Sequence, residues 1–195
     1  VSVPLHSKEK SIEWLFIFSK RDNFFVKRLY IMRHAKAVKD HPNGDHDRTL
    51  HSIGRTAALN VGRHMQTYKM LPKALYASSA TRTQETAKIV ASALNEKITI
   101  QESRKLYLAS AGELLHFVNT LDDTIDSAMI VAHNPGVHQL GMLIAGSGNS
   151  KAFETLQQGM LTGTLLVFDV PVDHWERVVP ASAILQAVIA PKELE

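Results

Sequence analysis

The sequence predicts an α/β domain of three layers, with helices on both faces of a mostly parallel central sheet. From Arg28 onward, short apolar runs alternate with segments of helical period, the pattern of repeated βα units. The length of 195 residues suits one such domain. With 45% hydrophobic and 21% charged residues, the chain can build a core and resembles neither a disordered nor a fibrous polymer.

The elements follow in order. Leu29 to Met32 reads as the first strand, and His41 to Arg48 as a polar loop carrying Pro42 and Gly44. Leu50, Ile53, Ala57, Val61, Met65 and Tyr68 recur at helical spacing and predict a helix over residues 51–68. A strand at Ala74 to Ala77 precedes a second helix marked by Ala80, Thr83, Ala87, Val90 and Leu94. Ile98 to Ile100 reads as a third strand, Gly112 to Leu121 as a helix, Ala128 to Ala132 as a buried strand and Pro135 to Ile144 as a helix. Gly146-Ser147-Gly148 reads as a helix C-cap and loop. Thr164 to Val170 and Ser182 to Ile189 close the domain as strands around a turn at Pro171 and Asp173. Residues 1–27 read as an N-terminal extension without chemistry, and residues 28–192 as the domain.

Composition narrows the function. The chain has no cysteine, so disulfide, thiolate-metal, cysteine-nucleophile and iron-sulfur chemistry are excluded. A formal charge of +3 gives no basic tract for nucleic acid. No apolar run approaches the ~20 residues of a membrane span. No secretory pattern is present either, so a soluble cytoplasmic monomer is expected. His41, His46 and His51 lie five residues apart, the wrong spacing for a helical metal pair, and no metal is expected.

In a parallel sheet, ligands bind beyond the carboxyl ends of the strands. Three such ends carry polar groups: Arg33 and His34 after the first strand, Ser78 with Arg82 after the second, and His133 with Asn134 after the buried one. Two guanidinium and two imidazole groups at three junctions suit a phosphoryl group, whose oxygens match the planar fork of arginine. Without cysteine, an imidazole is the candidate nucleophile, and on this ground either His34 or His133 could serve.

The same residues carry a family pattern. Leu29-Tyr30-Ile31-Met32-Arg33-His34-Ala35-Lys36-Ala37 resembles the opening of the histidine phosphatase superfamily in the form seen in SixA-type phosphohistidine phosphatases. Asp47-Arg48-Thr49-Leu50 with Gly54, Ser78 to Ala87, Leu106 to Ser110, and Ala132-His133-Asn134-Pro135-Gly136 are similar to further blocks of that family, in the same order. The resemblance covers about residues 28–192. It implies the phosphoglycerate mutase-like fold, His34 as the nucleophile that becomes phosphorylated, Arg33 and Arg82 as the phosphoryl clamp, and His133 as a second stabilising histidine. It also implies no cofactor. Ala35 and Ala132 depart from the family's usual glycines, and His51 from its usual threonine, which predicts a weaker helix cap.

Arg48, Asn134 and Ser78 are expected to bind substrate, with Arg48 otherwise pairing a neighbour such as Asp47. Glu102 and Glu113 are the candidates for a general acid. The lack of a clearer acid favours phosphohistidine over alkyl phosphates, because an imidazole leaves readily once protonated by solvent or by a weak acid. Short segments between the blocks predict an open pocket suited to a phosphorylated protein. A small-molecule phosphomonoesterase or mutase on the same fold, and a non-catalytic phosphate-binding adaptor, stay open as alternatives.

Overall fold

The computed structural model describes residues 26–194, so the reading of residues 1–27 lies almost wholly outside it. Lys27 already belongs to the first strand. Among the described residues, seven strands form one sheet: β1 (Lys27–Arg33), β2 (Ala74–Ser78), β3 (Ile100–Ser103), β4 (Ser127–Ala132), β5 (Ala145–Gly148), β6 (Leu165–Val170) and β7 (Ala183–Ile189). Their order is β3-β2-β4-β1-β6-β7-β5. The pairs β1·β4, β2·β4, β2·β3 and β5·β7 are parallel, and β6 runs antiparallel to both β1 and β7.

Among the described residues, five helices cover the sheet: α1 (Ser52–Thr67), α2 (Thr81–Ala93), α3 (Ala111–Asn119), α4 (Gly136–Ile144) and α5 (Ser150–Gln157). The period-2 alternation of the strands divides the core between its faces. Leu29 and Ile31 of β1 pack with Ile130, Leu114, Val118, Leu140 and Leu156 on the α3, α4 and α5 side. Tyr30 and Met32 pack with Val131, Val61, Met65 and Val90 on the α1 and α2 side. This is the three-layer α/β fold that the alternating pattern predicts.

Two expectations are corrected. The third strand is Ile100–Ser103 rather than Ile98 to Ile100; it pairs with Leu75 to Ser78 at the sheet edge, where Gln101 and Glu102 are exposed and give the strand no apolar signature. Gly146-Ser147-Gly148 is not a loop but part of β5, an edge strand parallel to β7, and α5 follows it with the Asn149 side chain capping Ala152 N at 3.0 Å. His51 does cap α1, its Nδ1 accepting from Ile53 N at 3.3 Å, long for a hydrogen bond of this kind.

Two glycines explain motif positions through close approach. A side chain at Gly54 would collide with the Lys36 carbonyl, and one at Gly136 with the Ala109 carbonyl. Gly54 thereby lets α1 start against the segment just after His34. The methyls of Ala35 and Ala132, where the family usually has glycine, are buried in the two halves of the core.

Candidate active site

Parallel register gathers the predicted residues at one edge of the sheet. Arg33 lies opposite Ala132 across β1 and β4, so His34 and His133, one residue further on, leave the sheet side by side. Ala77 lies opposite Val131, which puts Ser78 at the same level. Arg82 rises beside them from the first turn of α2, and the His34 amide is fixed by the Ala132 carbonyl at 3.0 Å.

Hydrogen-bond partners define both imidazole tautomers. His34 Nδ1 lies 2.8 Å from the Ala35 carbonyl, which can only accept, so Nδ1 carries the proton and Nε2 keeps its lone pair. Arg82 Nη2, which can only donate, lies 3.3 Å from His133 Nδ1. His133 Nε2 therefore carries the proton and donates to Ser78 Oγ at 2.8 Å. The two rings meet edge to face with centroids 5.3 Å apart. Burial, aided by the charge of Arg82, pushes His34 down to about 4 and His133 to about 3, so both rings are neutral at physiological pH. His133 is lowered further by His34 itself.

Thr86, within the block from Ser78 to Ala87, also has a visible task. Thr86 Oγ1 accepts from the Ala35 amide at 3.1 Å and donates to the Arg82 carbonyl at 2.7 Å, tying the residue after His34 to the helix that bears Arg82.

The cations are incompletely paired. Arg33 Nη1 and Asn134 Nδ2 both donate to the Met160 carbonyl, at 2.8 and 3.0 Å. Arg33 Nε, Arg82 Nε, Asn134 Oδ1 and Thr164 Oγ1 are buried without a hydrogen-bond partner among the described residues. Buried polar groups are normally paired, and each orphan carries a desolvation cost. Two orphaned guanidinium donors beside a free imidazole lone pair suit a tetrahedral oxyanion under in-line attack.

Sequence reasoning missed Asp45. It lies in a short 3-10 turn (Asp45–Asp47), and its backbone carbonyl and Oδ2 accept from Arg82 Nη1 and Nη2 at 2.6 and 2.9 Å. The Tyr107 hydroxyl donates to the same Oδ2 at 2.9 Å. Desolvation alone would raise this carboxyl, but the hydrogen bonds from Tyr107 and Arg82 and the charges of Arg82 and Arg48 bring it down to about 2. Arg48 pairs with Asp45 through Nε and Nη2, both at 2.9 Å, rather than with Asp47, and also donates to the Val38 carbonyl. The only signal in the sequence was a charged loop ahead of a motif arginine. The turn lies directly on Arg82, and His34 and His133 are both buried.

Neither glutamate suggested as an acid belongs to this constellation. Glu113 closes a capping box with Ser110 at the start of α3, and hydrogen bonds from the Ser110 backbone and side chain lower its carboxyl, the opposite of what an acid needs. Glu102 is exposed on the edge strand β3. Among the described residues no group of three His, Asp or Glu side chains is placed to hold a metal. His138 donates to or accepts at no site group; its Nε2 bonds the Leu156 carbonyl and joins α4 to α5.

Fold and site together suit the handling of a phosphoryl group, and comparison with known proteins gives the kinship. The histidine phosphatase superfamily (branch 1) profile matches residues 29–112. The uncharacterized protein Rv1276c of Mycobacterium tuberculosis is 28% identical over 163 residues, 83% of this chain and all of that one. A SixA-assigned phosphohistidine phosphatase structure from Agrobacterium tumefaciens superposes with TM-score 0.67 and 27% identity, covering 74% of this chain and 92% of that one. Its counterpart from Nakamurella multipartita gives TM-score 0.71 and 26% identity, covering 85% and 96%. The profile match over residues 29–112 and the two SixA structures support kinship with the histidine phosphatase superfamily, in its SixA type. The class of activity is accordingly that of a phosphatase. No helix among the described residues is long and apolar enough to cross a membrane.

Proposed function

We propose that the protein is a phosphohistidine phosphatase that removes the phosphoryl group from a histidine of a protein through a covalent adduct on His34. The observation that carries this reading is the His34 tautomer: Nδ1–H is held by the Ala35 carbonyl, which aims the free lone pair of Nε2 at phosphorus with no base needed to activate it. Nε2 attacks, the bond from phosphorus to the donor nitrogen breaks, and the donor imidazole, protonated from solvent at its other nitrogen, leaves as a neutral ring with the electron pair. Arg33 and Arg82 take the phosphoryl oxygens with the donors that are otherwise orphaned. His133, kept neutral and proton-bearing at Nε2, and Ser78 complete the hydrogen-bonding wall. Asn134 stands beside Arg33 on the Met160 carbonyl, and Arg48 acts through Asp45.

The substrate class follows from the carboxylates. The one carboxylate touching the site cations among the described residues is ionised, so no protonated acid waits for an alkoxide. An imidazole leaving group can take its proton from solvent, whereas an alkoxide needs a positioned acid. The SixA assignment of the Agrobacterium and Nakamurella structures supports the same class. The test compares wild type and His34→Ala on a phosphohistidine-bearing protein and on a panel of phosphate monoesters, with adducts located by mass spectrometry. The expected result is turnover of the phosphohistidine protein with a His34 adduct, both lost in the variant. Preference for one monoester would move the protein to small-molecule chemistry, and phosphate binding without adduct or turnover would make it an adaptor.

A further inference from the structure

A polar cavity beside the phosphoryl pocket takes no part in the transfer itself. It measures about 330 Å³ and is lined by His46, Ser79, Arg104 and Tyr107, room for more than a single ion. Three of these residues adjoin the groups already described. His46 follows Asp45 and Ser79 follows Ser78. The Tyr107 ring stands edge to face with both His46 and His133, at centroid distances of 5.0 and 5.4 Å. Tyr107 is therefore a wall shared by the cavity and the phosphoryl pocket, and roughly three residues of extended chain bridge the two.

Arg104 sets the character of this cavity. It opens the 3-10 turn (Arg104–Leu106) after β3, and the Tyr107 amide donates to its carbonyl at 3.0 Å, which fixes it relative to the shared wall. Arg28, Arg48, Arg55 and Arg177 each pair with a carboxylate, whereas the exposed Arg104 pairs with none among the described residues. The acid at the wall does not serve it, because Asp45 is already engaged by Arg48, Arg82 and the Tyr107 hydroxyl. His46 Nε2 and Ser79 Oγ lie 3.0 Å apart and add a polar side to the cavity. An unmatched guanidinium fork next to an aromatic ring fits a carboxylate carried on a short apolar stem.

We propose that this cavity is a specificity subsite in which Arg104 binds an aspartate or glutamate of the substrate protein, within about three residues of its phosphohistidine. Tyr107 packs against the stem of that side chain. The inference rests on the reading of the substrate as a phosphohistidine-bearing protein. The carboxylate lies away from the reacting phosphorus, so its contact is the same before and during transfer; it lowers KM and leaves kcat in place. A lysine at the same position of the substrate is repelled.

The test measures kcat and KM of wild type, Arg104→Gln and Arg104→Glu on peptides with a single phosphohistidine, flanked within about three residues by Glu, Gln or Lys. Phosphoramidate serves as a substrate without a flank. Wild type should favour the Glu peptide over the Gln peptide by roughly 5- to 20-fold in KM, between the worth of an exposed ion pair and that of a desolvated one. Arg104→Gln should erase this preference, and Arg104→Glu should turn it towards Lys. No flank preference in wild type, or one that survives in Arg104→Gln, would overturn the inference. So would an equal loss on the Glu peptide and on phosphoramidate, which would make Arg104 a support of the clamp. Turnover of phosphate monoesters but of no phosphohistidine peptide would instead overturn the reading of the substrate, and this inference with it.

Discussion

The two ends of strand β1 each bury a cation, and they treat it in opposite ways. At the start of the strand, Lys27 is 4% exposed; its Nζ donates to the Asp123 and Ile125 carbonyls at 2.9 and 3.3 Å and lies over the Trp175 ring. Trp175 is fully buried, and its Nε1 donates to the same Ile125 carbonyl at 2.8 Å. At the other end Arg82 is 2% exposed, yet its Nε and that of Arg33 have no partner among the described residues. One end is saturated and holds the fold together. The other keeps unmet donors at a desolvation cost, which is the mark of a site built for an anion rather than for stability.

Substitutions at the two ends should therefore separate activity from stability. Arg33→Gln, which keeps much of the volume but removes the charge, should lower kcat by roughly 100- to 1000-fold. Its stability should change by under about 1 kcal/mol, since the unpaired Nε is removed with the charge and the glutamine amide can still donate to the Met160 carbonyl; steady-state kinetics and urea melts check both. Trp175→Ala should do the reverse, costing about 3–5 kcal/mol of stability and leaving turnover per folded molecule at the wild-type level. Loss of stability in the first variant and of turnover in the second would erase the contrast.

Much of the contrast was legible in the sequence. Arg33, His34, Ser78, Arg82 and His133 stand at the ends of recognisably apolar strands, and parallel register does the rest. Asp45 was not legible, because a turn of charged residues carries no period and only three-dimensional closure brings it onto Arg82. Edge strands β3 and β5 were displaced or missed for a related reason: exposed Gln101 and Glu102, and a Gly-Ser-Gly run, lack the apolar alternation by which inner strands are read. Glu113 drew attention as a free carboxylate when its spacing from Ser110 was that of a capping box.

The pH dependence of stability sharpens the comparison with a smaller effect. His34 titrates near 4 in the folded protein against 6.5 for an ordinary histidine, and His133 near 3. Between those values and 6.5 the unfolded chain binds more protons, so stability is full above about pH 6.5 and falls as the pH drops towards 4 and 3. Asp45, lowered to about 2, adds a loss of the same sign at lower pH. Denaturant midpoints for His34→Ala should show a shallower decline over this window than wild type, and an equal slope would contradict the neutral, buried state of the ring. The smallest expected effect is that of Glu113→Ala, which weakens the start of α3. It should lower the melting temperature slightly and leave kcat unchanged, and a large fall in kcat would restore Glu113 as an acid.

The most direct test of the central claim is an NMR titration of the arginine Nε–H resonances with inorganic phosphate. If the orphaned donors form the phosphoryl clamp, the Arg33 and Arg82 signals move together and saturate, while Arg55, which pairs with Glu85 at 2.6 Å, stays in place. Unmoved signals at Arg33 and Arg82, or a uniform drift of every arginine, would contradict it.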